Sequence, residues 1–333
     1  MRRLVFLLFV LAGLLSSCER RPFSKNTTAV NLKLNIRTEI VGDNTDDAPD
    51  MMRIDLFDIN TGNVVYTDYI SPEGGYIYPR PGKYDLLVYN IDTESTIVKN
   101  EENIATVEAY TNEISAYLKS QIEEFLKNRA EHYKTRTKGP VTKDPILEGT
   151  ERIVNEPDHL YVGEYKGVEI PAFELGSDKD VHIEVNAASV VENWKIKVSP
   201  VEGLQWVSSI TALITGQTES TFIGQNLDSD GVASILFSMQ KDEEKGLIYG
   251  NFNTFGKNPL YSSFLSLDLN IIDNAGEQHH YHFDLTEQFF ENNEFLLKVD
   301  KENPIIIEEP KVAGGGFSPS VSDWDEIKTE IEL

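Results

Sequence analysis

The chain has 333 residues, with 55 acidic against 30 basic side chains and a formal net charge of −25. That imbalance repels nucleic acid and anionic lipid surfaces, so neither is an expected partner. A hydrophobic fraction of 40% suffices for packed cores, excludes a disordered chain, and at this length suggests two domains of ordinary size.

The N-terminus reads MRRLVFLLFVLAGLLSSCERR. Arg2 and Arg3 form a short basic region and Leu4 to Leu15 an apolar run, too short for a membrane-spanning helix but the right size for a secretory signal. Leu15-Ser16-Ser17-Cys18 resembles a bacterial lipobox, in which cleavage precedes the cysteine and the cysteine carries lipid. Residues 1–17 are therefore expected to be a lipoprotein signal peptide, with Cys18 lipidated. Removing them leaves 28 basic side chains against 55 acidic ones. Cys18 is the sole cysteine, so no thiol remains for a disulfide or a metal. Residues 18–28 are polar and read as a tether.

An N-terminal domain is expected over residues 29–160. AVNLKLNIRTEI alternates Val30, Leu32, Leu34 and Ile36 against Asn31, Lys33, Asn35 and Arg37, the period of a half-buried strand. MMRIDLFDINTGNVVYTDYI reads strand, turn, strand, with the turn at Asn60 to Asn63. KYDLLVYN reads as a strand with two apolar faces. A helix is expected at about 113–134, because Ile114, Leu118, Ile122 and Phe125/Leu126 recur near helical spacing with no Gly or Pro. Lys127, Arg129, Lys134, Arg136 and Lys138 make its end basic. They read as a favourably cationic terminus and solvated loop rather than a docking surface. KGPVTKDPILEGTERIVNEPD reads as a polar connection near a domain boundary.

A C-terminal domain is expected over residues 161–333. HLYVGEY, GVEIPAF, KDVHIEVNA, NWKIKVSPV, ASILFSMQ, GLIYGNFNTF, FLSLDLNIID and HHYHFDL are short runs rich in Val, Ile, Tyr and Phe. The fold class is thus mainly β: two β-sandwich-like modules in tandem, the first with a helical insertion.

Several features imitate sites. Asn226, Asp228, Asp230 and Gly231 fit half of a calcium loop, but the position for the closing Glu is Phe237, and a hairpin turn accounts for them. His280 and His282 share a strand face, with His279 beside them, yet no third metal ligand is fixed. Gly314-Gly315-Gly316 lacks the Lys-Ser/Thr of a phosphate loop. Trp194, Trp206 and Trp324 read as core as readily as sugar platforms. There is no GxSxG, no HExxH and no carboxylate pair that stands out, so no catalytic residue, cofactor or metal site is expected and the protein is not expected to be an enzyme.

Together with the lipobox, the blocks MMRIDLFDINTG, GGYIYPRPGKYDLLVYNIDTES, EPDHLYVGEY, GNFNTFGK, YHFDLTEQF and GGGFSPSVSDWDEI resemble a Bacteroides lipoprotein family. That family is distantly related to the minor fimbrial subunit and fimbrial anchor (fimbrillin-like) proteins of Bacteroidales. The resemblance implies two transthyretin-like β-sandwich domains, lipid anchoring in the outer membrane facing the surface, and joining of fimbrillin subunits by strand complementation. Stalk subunits of such assemblies lose an N-terminal strand by cleavage after Arg, whereas anchors keep the lipid. Cleavage at Arg20 or Arg21 would release the lipid but no strand, which implies an anchor or accessory subunit. The alternative is a surface lipoprotein that binds glycan or host protein, motivated by the aromatic-rich strands in residues 244–283.

Overall fold

A computed structural model describes residues 27–37, 48–136, 151–172, 181–258, 265–291 and 296–310. The chain is mainly β. Its strands are Val30–Arg37 (β1), Met52–Asp58 (β2), Val64–Ile70 (β3), Gly74–Ile77 (β4), Gly82–Asn90 (β5), Thr96–Lys99 (β6) and Glu108–Thr111 (β7). Helices Ala116–Gln121 and Glu123–Arg136 follow. Then come Arg152–Val154 (β8), Tyr161–Ile170 (β9), Val181–Ser189 (β10), Glu192–Glu202 (β11), Val207–Thr218 (β12), Ser220–Phe222 (β13) and Leu227–Asp228 (β14). The last elements are Val232–Ser238 (β15), Gln240–Asp242 (β16), Leu247–Thr254 (β17), Ser266–Asp273 (β18), Gln278–Asp284 (β19), a helix at Thr286–Glu291 and Leu296–Ile306 (β20).

Among the described residues the strands form four sheets. One has seven strands in the order β3-β2-β5-β9-β10-β1-β4. Its end strands β3 and β4 are neighbours in sequence, joined by a turn in which Ser71 and Gly74 bridge, so the sheet curls around its own apolar face. Val30, Leu32, Met52, Ile54, Leu56, Leu86, Val88, Tyr161 and Val185 meet there. β5 is buried on both faces, as its sequence suggests: Leu87 and Tyr89 point the other way, into a second cluster with Phe57, Val107, Ala109 and Ile223. This cluster lies under the sheet β14-β13-β7-β6. The remaining sheets, β16-β17-β11-β20 and β19-β18-β12-β15-β8, share a third core that joins Trp194, Ile196 and Phe252 to Ala212, Ile235, Phe237, Leu267 and Leu269.

Sheet membership does not follow the expected cut between residues 160 and 161. β9 pairs with β5, and β10 runs parallel to β1, so strands beyond the cut complete the first sheet. In return β8 joins β15, and β7 joins β13. The two halves of the sequence thus exchange strands. The helix expected at about 113–134 breaks at Ile122 into Ala116–Gln121 and Glu123–Arg136. It is not packed within the first unit: Ile122 and Phe125 bury against Ile153 and Leu213, and Leu126 and Leu236 pack alongside, on the outer face of the five-stranded sheet. Backbone steric limits show at Gly203, whose φ is +81° and where a Cβ would sit 1.9 Å from the carbonyl oxygen of Ile307.

Candidate assembly site

The seat of β1 is closely defined. The chain enters the fold at Thr28, assigned above to the tether but buried here: its amide donates to Pro79 O (2.9 Å) and its hydroxyl to Pro171 O (2.6 Å). From there β1 runs parallel to β10 in register from Val30↔Val181 to Arg37↔Ala188. On its other side β4 pairs antiparallel with Val30 to Lys33 only. Val30, Leu32 and Leu34 are buried, because the period-2 pattern sends every second side chain into the core. The alternate row faces outward and is polar. Lys33 pairs with Glu184 at 3.1 Å, and Asn35 Nδ2 donates to Glu184 Oε1 (2.5 Å) and Asn186 Oδ1 (3.2 Å). Glu184 is held below the usual carboxylate range by those donors, Asn35 first. β4 approaches so closely that a Cβ on Gly74, with φ +110°, would lie 2.1 Å from Leu32 O. The first strand therefore fills its own place in the sheet.

A second polar assembly lies where the helix Glu123–Arg136 crosses β18 and β19. Arg129 is 4% exposed. Its Nε donates to Asp268 Oδ2 (2.7 Å), and Nη1 and Nη2 donate to the two oxygens of Glu151 (2.5 and 2.7 Å). His282 Nδ1 lies 2.6 Å from Asp268 Oδ1, and Ser234 donates to Glu151. One residue pair further along, His280 stacks on Phe125, with ring centroids 5.6 Å apart and planes at 7°. Burial pushes the His280 imidazole below its ordinary pKa, opposed by the nearby Glu124 carboxylate.

A third polar cluster lies between the seven-stranded sheet and its cover. Asp55, fully buried, accepts from Arg53 Nε (3.0 Å), Thr67 (2.6 Å) and Tyr89 (3.2 Å). Its carboxyl is raised by burial, against the pull of Thr67 and Arg53. A cavity of about 290 Å³ opens at Asn90, Asp92, Asp158 and Asn253. Two of its lining carboxylates are already engaged: Asp92 accepts from Asp50 N and Asn90 Nδ2, and Asp158 from the backbone amides of Ser95 and Thr96.

Cys18, Gly314 to Gly316, Trp324 and Lys138 lie outside the described residues, and the side chains of Lys134 and Arg136 are likewise not described. The expected basic terminus loses a member, since Arg129 is an interior ion-pair partner and not a solvated cation. Lys127 instead pairs with Glu123 on the helix surface. The histidines do not converge: His279 turns to Asp273, His282 to Asp268, and His280 to Phe125. Among the described residues no group of three or more His, Cys, Asp or Glu is placed to hold a metal ion. Phe237, at the calcium-loop closing position, is buried in β15, and Asn226 to Asp228 lie in the β13–β14 hairpin. Among the described aromatics of residues 244–283, Phe252, Phe255 and Phe283 are buried, Tyr281 is half-buried and Tyr249 is exposed. Trp194 is buried and Trp206 partly so. No helix of the described residues is long and apolar enough to cross a membrane.

Missed from sequence was the covered face of β18 and β19. Its signal was present: Asp268 and Asn270 alternate with core Leu267, Leu269 and Ile271, and His280 and His282 alternate likewise. Such a row meets either water or a cover. Arg129 follows Ile122 and Phe125 at helical spacing, which makes the cover the helix.

A curated relative in Bacteroides ovatus, named as a candidate fimbrium anchoring subunit, Fim4B, is 25% identical over 232 residues; the match takes in 70% of this chain and 59% of the relative's length. A crystal structure of a candidate adhesin from Bacteroides ovatus superposes with a TM-score of 0.60 at 23% identity, covering 89% of this chain and 98% of that one. The fimbrial anchor protein Mfa2 of Porphyromonas gingivalis aligns over 82% of this chain and 89% of its own at 13% identity, with a TM-score of 0.47, too remote a likeness to bear on function. The first of these relatives agrees with the resemblance read from the motifs. A profile of the family described as a domain of unknown function, DUF5119, matches residues 17–238, more than half of the sequence, and the chain belongs to that family.

Proposed function

We propose that this protein is an outer-membrane lipoprotein, tied through Cys18, that serves a surface fimbrium as its anchor or an accessory subunit and joins its neighbours by strand complementation. The carrying observation is β1 seated between β10 and β4 with its apolar row buried. A subunit that awaits a donor strand needs that place empty, whereas a subunit at the base of a filament does not. The chain between Cys18 and Thr28 is polar and short, which suits a fold held close to a membrane. The name given to the Bacteroides ovatus relative supports the same reading. In it the two groups of cores form tandem transthyretin-like sandwiches, one built on the seven-stranded sheet and one on the paired four- and five-stranded sheets. The protein performs no catalysis. The strand edges left for a neighbour include β20, which among the described residues pairs on one side, with β11.

The test is an immunoblot of unboiled outer-membrane extract. A high-mass ladder that collapses to monomer on boiling is expected of a strand-complemented assembly. A single band at monomer mass contradicts the proposal. Burial of Phe252, Phe255 and Phe283 leaves Tyr249 as the exposed aromatic that residues 244–283 offer a glycan among the described residues.

A further inference from the structure

The helix Glu123–Arg136 covers its strand face at an unusual cost. His280 and Asn270 are cross-strand partners, so their side chains lie side by side beneath it. Both ring nitrogens of His280 and the side-chain oxygen of Asn270 are buried without a hydrogen-bond partner. Each such group gives up water with no described partner in return, which works against docking. The apolar contribution to docking is small, resting mainly on Ile122 and Phe125, with Leu126 at the edge. What holds the helix against these losses is Arg129, clamped by Glu151 and Asp268. The preceding helix, Ala116–Gln121, buries no residue and adds no second fastening.

We infer that the helical segment 116–136 is an acid-released cover over the β18–β19 face, with His280 as its trigger. A neutral imidazole stacks flat on Phe125 inside the interface, and among the described residues no neighbour hydrogen-bonds the proton that charging it would add. Among the described residues, the charged and titratable groups around it are Glu124 on the helix, His279, Asp273 and His282 on the two strands, and Asp268 with Arg129 and Glu151 beyond. Glu124 alone among its immediate charged neighbours favours the imidazolium, and His279 opposes it. The geometry thus admits the neutral ring and expels the charged one.

The sign follows from linkage. The undocked His280 titrates near 6.5 and the docked one below that, because burial disfavours charge. Docking is therefore fully supported above the undocked pKa and weakens as pH falls through it. One proton excluded from the docked state shifts the equilibrium by up to about tenfold between pH 7.5 and 5.5.

Hydrogen exchange of the full chain, followed by mass spectrometry and corrected for intrinsic rates, reads this directly. Amides of residues 116–136 are expected to lose up to about tenfold protection between pH 7.5 and 5.5. The β11–β17 pair should not change. His280→Phe keeps the stack without a titrating group and is expected to remove the acid loss; His280→Gln offers the same comparison without the ring. Equal protection of the wild-type segment at both pH values overturns the inference. So does an acid loss that persists undiminished in the His280 variants.

Discussion

Replacing Leu32 by alanine and, separately, Lys33 by alanine separates the two faces of β1. The two residues are adjacent, share the same backbone pairing and differ in the face they present. Leu32 is 1% exposed and sits in the core of the curled sheet. Alanine there removes three carbon groups, worth about 2.4 kcal/mol at ~0.8 kcal/mol each, and the cavity left behind raises the loss to about 3–4 kcal/mol. Lys33 makes an ion pair with Glu184 in which both side chains are more than half exposed. Its loss is expected to change stability by no more than ~0.5 kcal/mol. Urea unfolding followed by far-ultraviolet circular dichroism measures both, on a chain whose strands should melt with the sheet. The synthetic segment 28–37 added in excess should restore part of the midpoint lost by Leu32→Ala, since the weakened strand is then displaceable. Near-equal effects of the two substitutions would refute the seating of β1 as described here.

Two further outcomes follow from local geometry. Gly74→Ala forces a Cβ against Leu32 O at a φ of +110°, so it should destabilise the protein by about 2 kcal/mol or more, read as a fall in urea midpoint. The Glu156 carboxyl is pushed up to about 7 by burial, against one amide donated by Asn253. Its folded pKa is raised, so its contribution to stability is fully present below about 4.5 and is lost as pH rises through about 7. Glu156→Gln should therefore gain on the order of 1–3 kcal/mol over the parent at pH 8 and little at pH 4.5, measured by urea titration at each pH. An equal gain at both would show that the charge is not the cause.

The parts of the fold legible in sequence are those where one physical signal dominates. β1 announces itself through strict alternation, and β5 through a run apolar on both faces that two separate cores require. β12 escaped notice although it is central to the five-stranded sheet, pairing with both β15 and β18. Its residues Thr215, Gln217 and Thr218 are polar yet buried. Thr215 bonds Ser266, and Gln217 bonds Thr254 and the Thr215 carbonyl, so hydrogen bonding replaces apolar character. β20 escaped for a different reason: Lys298, Asp300, Lys301 and Glu302 mask a strand that among the described residues pairs along one edge. β8 is three residues long and hides in a stretch read as polar connection.

Composition near residue 160 reports where the chain is polar, not which sheet a strand joins. β9 and β10 resemble the strands that follow them, and only long-range pairing with β5 and β1 assigns them to the first sheet. The same limit hid the Arg129 cluster. Glu151 and Asp268 lie 22 and 139 residues from Arg129, and nothing in a charge count brings them together. Once paired, Arg129 no longer belongs to the basic helix terminus that its neighbours suggested.

The central claim is that this chain ties a filament to the cell through Cys18. The most direct measurement is to express Cys18→Ala in place of the native protein and assay filaments in cells and in culture medium by immunoblot and electron microscopy. Loss of the lipid at the base should leave assembled filaments in the medium and few on cells, with the variant protein found among them. Filaments that stay cell-bound at the native level, or a variant that still fractionates with the outer membrane, would contradict the claim.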